Sequence, residues 1–180
     1  HVDVRADPFA LEPFGVRHPA RPVHNLAHQV DPRTSHRVHR IGVLALLQLL
    51  EDDSLPALGK ALYQLELGDS AAAAAALEQL ALTLPPAHGG GELLLMAGRI
   101  RGGAGQRTDA ERLYRAAVAL AIPASSAAAE FALADLLVRA GRRAQAVSAL
   151  EHLLVTWPTS AVVPQARRLL EVARGTVPTT

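Results

Sequence analysis

The amino-acid sequence predicts an all-α fold, a short α-solenoid of about three helix pairs followed by a C-terminal capping helix. Three stretches of the chain superimpose on one another with a step of 36 to 37 residues, and a fixed period in this range is typical of a repeat array. The composition agrees, because 49% of the residues are hydrophobic but only 3% are aromatic. Strands favour branched and aromatic side chains, so this composition argues against a sheet.

Four features recur at fixed positions in each stretch: a glycine, an alanine five residues later, a bulky side chain nine residues after the glycine, and a closing proline. The glycines are Gly68, Gly105 and Gly141, the alanines Ala73, Ala110 and Ala146, the bulky residues Leu77, Tyr114 and Leu150, and the prolines Pro85, Pro123 and Pro158. An alanine at a helix crossing lets two backbones approach closely, and the bulky residue one turn later fills the remaining space. Because one such unit cannot bury its apolar face alone, stacked units are expected to share a core.

Start and stop signals predict eight helices. The starts are marked by small side chains that cap a helix, in some cases with proline in the first turn. They are Asp31-Pro32 for the first helix, Ser54 with Pro56 for the second, a capping box from Thr108 to Glu111 for the fifth, Ser125 or Ser126 for the sixth and Ser160 for the last. Gly175 is predicted to end the last helix.

The repeated glycine, small residue, large residue and proline resemble the tetratricopeptide repeat, a helix-turn-helix unit of about 34 residues. The first-helix signature of that family is mostly missing here. The resemblance implies a helical repeat domain over residues 41–180, with units at about 55–86, 91–123 and 126–158 and a capping helix at 160–175. The segment 157–168 looks like the last units of bacterial envelope repeat proteins.

The resemblance also implies a protein-binding surface on the first helix of each pair. The positions that contact partners in the family correspond here to Leu58, Leu62, Leu95, Arg99, Phe131, Asp135 and Arg139. Such a groove would take an extended or helical protein segment between its arginines. The alternative is that Leu62 and Phe131, together with Leu65, belong to the core between helices.

Residues 1–40 form a different kind of sequence, an extended arm rich in proline, histidine and arginine. Prolines at positions 8, 13, 19, 22 and 32 exclude a continuous helix. The arm is expected either to pack along the helical body or to bind a partner, with Phe9, Phe14, Arg17 and Arg21 as its contact residues.

The arm also carries the weak metal-ligand candidates His24, His28, His36 and His39, whose spacings of three and four residues would bring imidazoles together on a helix. Asp31 is the one carboxylate placed to help, and the prolines oppose a helix, so no metal and no other cofactor is expected. A metal-handling or haem-handling role for this arm is kept as an alternative.

No catalytic motif is found, so the chain is not expected to be an enzyme. His88-Gly89-Gly90-Gly91 resembles an esterase oxyanion loop, but no Gly-x-Ser-x-Gly motif follows it. Nucleic acid is not an expected partner, because the net charge is +1 and no aromatic residue is interleaved with the arginines.

These observations lead to an expected function, a non-catalytic scaffold for protein–protein interaction. We expect an accessory subunit that stabilises a larger envelope-side membrane complex, for example a photosynthetic or respiratory one. A free periplasmic adaptor in envelope or outer-membrane assembly is the alternative. Because the chain begins at His1 and no apolar run is long enough to span a bilayer, we expect a processed, periplasmic protein with at most peripheral membrane contact.

Overall fold

The computed structural model describes residues 55–175, and these form an all-α array, as the sequence predicts. Seven α-helices follow one another without a strand in this range: α1 (Leu55–Glu66), α2 (Ser70–Thr83), α3 (Gly91–Gly103), α4 (Arg107–Ala119), α5 (Pro123–Arg139), α6 (Arg143–Thr156) and α7 (Val163–Arg174). A short kinked segment, Pro86–Gly90, in which His88 and Gly89 have non-helical backbone angles, connects α2 to α3. The arm at 1–40 and the helix predicted to start at Asp31 lie outside the described residues.

The helices pack in sequence order. Each helix contacts the next one along the chain, and the first helices of neighbouring pairs also meet, α3 with α5 and α5 with α7. The pairs are α1 with α2, α3 with α4 and α5 with α6, and α7 covers the end of the array. One continuous core of leucine and alanine runs through all seven helices.

The turn inside each pair has the same backbone geometry, set by the repeated glycine. Gly68, Gly105 and Gly141 have φ angles of +83°, +78° and +75°, a left-handed conformation that favours glycine. In each turn the glycine N–H donates to the carbonyl three residues before it, and the next N–H donates to the carbonyl five residues before it, at 2.9–3.1 Å. This is the Schellman pattern, which satisfies the last carbonyls of the first helix. The second helix then begins two residues after each glycine.

The periodic alanines and bulky residues lie in the core. Ala73, Ala110 and Ala146 are completely buried, as are Leu77 and Leu150, and Tyr114 is 6% exposed. The common period therefore reflects a common packing position on the second helix of each pair.

A matching position on the first helix compensates for the size of the bulky residue. The buried residues Ala61, Gly98 and Ala134 stand there at the same 36 to 37-residue step. Only the middle unit has tyrosine at the bulky position of its second helix, and only that unit has glycine at the matching position of its first helix. A Cβ atom at Gly98 would lie 2.6 Å from Cε1 of Tyr114, so the ring occupies the space that an alanine side chain would take.

Three predicted helix starts are wrong. Helix α4 begins at Arg107 rather than with a capping box at Thr108, because the Schellman turn at Gly105 makes Gln106 the N-cap residue, and its side chain makes no cap hydrogen bond. Helix α5 begins at Pro123, so Ser125 and Ser126 are buried inside it. Ser126 Oγ instead donates to the carbonyl of Ala117 at 2.9 Å, which ties α5 to α4.

The predicted end of the array is confirmed. Helix α7 stops at Gly175, which has a φ of +74°, and its N–H donates to the Val172 carbonyl. The start predicted at Ser160 is the third that is wrong, because α7 begins at Val163 and no side chain caps it. The cap of α2, in contrast, is a side chain, since Asp69 Oδ1 accepts a hydrogen bond from the Ala72 N–H at 3.0 Å.

Candidate functional site

Two of the residues predicted to line a partner-binding groove lie in the core instead. Leu58 on α1 is 1% exposed and Leu95 on α3 is 7% exposed, and both pack among the buried residues shared by neighbouring helices. Their side chains therefore do not reach a partner in this arrangement, which corrects their assignment to the groove.

The remaining five residues of the predicted groove reach the surface of α1, α3 and α5, and we call them the first-helix face. Leu62 and Phe131 are half-buried and pack against the core, whereas Arg99 and Arg139 are exposed. Asp135 pairs with Arg139 one helical turn away, with 2.8 Å between Oδ2 and Nη2.

Tyr114 connects the charged residues of this face, although it belongs to the second helix α4. Its ring packs on the backbone of α3 at Gly98. Burial raises the pKa of the Tyr114 phenol, while Arg99 and Arg139 lower it and Asp135 raises it. Charges from two different first helices, α3 and α5, thus act on the pKa of one tyrosine hydroxyl.

The second helices carry a different feature, a series of ion pairs that cross from one unit to the next. Arg112 on α4 holds Glu78 on α2 through two hydrogen bonds of 2.6 and 3.0 Å. Glu111 accepts from Arg142 at 2.6 Å and from Arg115 at 2.7 Å. Because Arg142 stands in the turn between α5 and α6, Glu111 joins the second pair to the third.

Replacing Glu111 with glutamine is expected to lower the free energy of unfolding at neutral pH by about 1 kcal/mol or less, since its arginine partners are largely exposed and screened by water. The hydrogen bonds from Arg142 and Arg115 hold the pKa of Glu111 below its usual value of 4.5. A depressed folded-state pKa contributes stability above the unfolded value that is lost as the pH falls through the folded value.

The difference between wild type and Glu111→Gln should therefore be present at neutral pH and disappear below pH 4.5. Urea denaturation at several pH values measures it, with the exposed Glu66→Gln variant as control. A difference that persists in strong acid would contradict this assignment.

A second concave feature lies between α4, α5 and α6, and we call it the α5 trough. Its volume is about 650 Å³. Leu133 and Leu137 of α5 form its apolar floor, and Val118 and Ala149 contribute to its walls. The charged or titratable side chains that line it are Arg115, Glu130 and His152.

Glu130 is the unusual residue of this trough, because a carboxylate that is only 5% exposed stands in an apolar surrounding. His152 Nδ1 lies 2.6 Å from its Oε1. Its Oε2 and the Trp157 Nε1 are both buried without a hydrogen-bond partner of good geometry. Burial raises the pKa of Glu130, and this outweighs the lowering by His152 and Trp157.

His152 also meets Thr156, with 3.2 Å between Nε2 and Oγ1. A hydroxyl, an imidazole and a carboxylate are thus connected in the order found in nucleophilic relays. Thr156 is the last residue of α6, however, where the partial negative charge of the helix carbonyls disfavours an alkoxide or oxyanion. The arrangement is better suited to holding the Glu130 carboxylate in place than to attacking a substrate.

Neither Glu130 nor His152 was among the residues that the sequence singled out as a site. The sequence does contain one indication of Glu130, which is its position in the repeat. Glu130 stands at the repeat position that Ala57 occupies in the first unit and Leu94 in the second. A carboxylate at a position that the repeat otherwise gives to apolar residues is expensive to bury and therefore informative.

The arm residues Phe9, Phe14, Arg17 and Arg21 and the candidates His24, His28, His36 and His39 lie outside the described residues. Between residues 55 and 175, no three acidic or histidine side chains lie close enough to hold a metal ion. No helix in the same range is long and apolar enough to cross a bilayer. Comparison of the chain with protein-family models and with curated proteins finds no match.

Proposed function

We propose that this chain is a non-catalytic scaffold that binds an extended or helical segment of another protein on its first-helix face. The observation that carries this proposal is the half-buried ring of Phe131 one helical turn from Asp135, which pairs with Arg139, while Arg99 of α3 and both of these charges act on Tyr114. An aromatic anchor with charged residues at its edge is the composition that protein interfaces favour.

The charges of the face favour a particular kind of segment. Arg99 and Arg139 contribute two positive charges, and Asp135 neutralises one of them through its ion pair with Arg139. The remaining positive charge would attract an acidic side chain, while an apolar neighbour of that side chain would cover Phe131. Charges at an interface rim govern specificity and association rate more than affinity.

We also propose that the bound protein belongs to an envelope-side membrane complex in which this chain is an accessory, periplasmic subunit, with the tetratricopeptide-like array as its rigid part. Two features support this: segment 157–168 looks like the last units of bacterial envelope repeat proteins, and the ion pairs of the second helices leave the opposite, first-helix face for a partner.

Site-specific photo-crosslinking tests the proposal. Phe131 is replaced by benzoylphenylalanine, and the purified chain is incubated with native membranes solubilised in mild detergent. The exposed Gln79 on α2 serves as the control position. We expect one dominant crosslinked protein from position 131 and none from position 79.

Reversal of the charge at both arginines, in Arg99→Glu with Arg139→Glu, should reduce the yield from position 131 about tenfold, equivalent to a loss of roughly 1.4 kcal/mol of binding. Circular dichroism checks that the variant remains helical. Equal yields from positions 131 and 79, or a yield unaffected by charge reversal, would refute binding at this face.

A further inference from the structure

We propose that the α5 trough binds a small organic cation, an ammonium group with an apolar tail, and that Glu130 is the residue that holds the charge. This site is separate from the first-helix face and does not depend on the function proposed for that face. The trough has a volume of about 650 Å³. Binding sites for small molecules in proteins are typically about 300–1,000 Å³, mostly apolar, and contain a few well-placed polar groups.

The trough is an incomplete environment for the carboxylate that lines it. A buried ionised carboxylate is costly unless it is paired and hydrogen-bonded. Glu130 Oε1 has His152 as partner at 2.6 Å, but Oε2 has no hydrogen bond of good geometry, and the neutral indole of Trp157, which lowers the pKa of this carboxyl, brings no positive charge to it. A neutral imidazole donates a single N–H and supplies no charge, whereas an ammonium group supplies three donors and a full positive charge.

The other charged or titratable groups at the trough do not supply the missing positive charge to the Glu130 carboxylate. Arg115 comes from α4, but its guanidinium is already hydrogen-bonded to Glu111 at 2.7 Å. His152 comes from α6, its side chain is largely exposed, and its imidazole contacts only the Oε1 atom of Glu130. Glu130, from α5, is the most deeply buried of the three.

The apolar residues that line the trough favour an apolar group on the part of the ligand that is not the ammonium. Val118, Leu133 and Leu137 line the trough beside Glu130 and would pack against an alkyl chain or ring. A carboxylate ligand would instead place a second negative charge near Glu130, which is destabilising. The geometry therefore favours an apolar amine over an apolar acid of the same size.

The experiment uses three probes of similar shape, n-hexylammonium, n-hexanol and hexanoate, at pH 8, where imidazoles are ordinarily neutral. Trp157 is the only tryptophan of the chain, and its indole N–H lowers the pKa of the Glu130 carboxyl. Its indole N–H signal in a ¹H–¹⁵N NMR spectrum is therefore a unique reporter. We expect n-hexylammonium to shift this signal saturably and to bind at least tenfold more tightly than either other probe.

Two variants refine the test. Glu130→Gln removes the charge with little change of shape, and we expect it to weaken n-hexylammonium at least tenfold. Glu151→Gln, on the same helix as His152 and paired outward with Arg174, is the matched control and should bind as wild type does.

The comparison of the three probes on the wild-type chain needs no variant, so it decides the question even if Glu130→Gln fails to fold. The proposal is overturned by equal binding of n-hexanol, by equal binding to folded Glu130→Gln, or by the absence of a saturable shift with n-hexylammonium.

Discussion

Replacing Gly98 with alanine is expected to lower the free energy of unfolding by about 1–3 kcal/mol, although alanine is the better helix former. The added Cβ would lie 2.6 Å from Cε1 and 2.7 Å from Cδ1 of Tyr114. The tyrosine ring is buried in the core and has little room to retreat. The steric cost therefore exceeds the gain of about 1 kcal/mol in helix propensity.

Gly59 on α1 provides the matched control, because a Cβ built there meets nothing within 4 Å. Gly59→Ala should raise the free energy of unfolding by about 0.5–1 kcal/mol, since only the propensity gain remains. Urea denaturation followed by circular dichroism measures both variants. If both substitutions stabilise the protein, Tyr114 does not occupy the position described here.

Replacing Leu150 with alanine is expected to cost about 2–5 kcal/mol, the usual range for a leucine removed from a core. Leu150 is completely buried on α6, at the repeat position that Leu77 and Tyr114 occupy in the other units. The surrounding helices can close only part of the cavity, because interiors are packed at nearly crystalline density.

Val155→Ala on the same helix is the control for this loss. Val155 is 82% exposed, so its truncation should change stability by no more than about 0.5 kcal/mol. Both variants should retain the wild-type denaturant slope if unfolding remains two-state. A Leu150→Ala variant as stable as Val155→Ala would show that α6 is not packed through this residue.

The repeat turns were predictable from the sequence for a physical reason. A left-handed backbone conformation between two helices strongly favours glycine. Because each unit needs this conformation at the same place, each unit has glycine there. The alanine five residues later is restricted just as strongly by helix contact. Gly105 and Ala110 therefore identified the second unit even though its first helix carries little of the family signature.

The helix caps were less predictable, because a polar side chain near a helix start is not sufficient evidence for a cap. Thr108 and Ser125 both have the right chemistry, yet the preceding turn or proline begins each helix earlier. Once Gly105 has closed its Schellman turn, the chain is already directed into α4. The residue directly after the glycine is then the N-cap, and only Asp69 of the first unit makes a side-chain cap hydrogen bond there, whereas Gln106 and Arg142 do not.

On the first helices, the sequence pattern does not fully distinguish surface residues from core residues. Helix α3 is contacted by α2, α4 and α5, and eight of its 13 residues are buried. A helix covered on several sides loses the one-faced pattern that distinguishes a core leucine from a groove leucine. The sequence of α3 therefore does not show whether Leu95 lies in the core or in a groove. Leu58, Leu95, Arg99 and Arg139 were assigned together because they correspond to partner-contacting positions of the tetratricopeptide repeat, and that correspondence does not distinguish the two buried leucines from the two exposed arginines.

The α5 trough depends on contacts between helices that are far apart in sequence. Glu130 and His152 are 22 residues apart and meet only when α5 and α6 pair. Sequence spacing within one helix cannot reveal such a contact. The sequence alone shows that Glu130 departs from the apolar residues of the repeat, but it does not show that His152 is its partner.

The central claim is that the three units share one packing scheme, in which a small residue on the first helix matches a large one on the second. A double-mutant cycle tests this claim most directly. The cycle combines Gly98→Ala with Tyr114→Leu, which gives the middle unit the alanine and leucine found in the units of Ala61 and Ala134. We expect the double variant to be more stable than the sum of the single changes predicts, by about 1–3 kcal/mol. Additivity within about 0.5 kcal/mol would contradict a shared packing scheme.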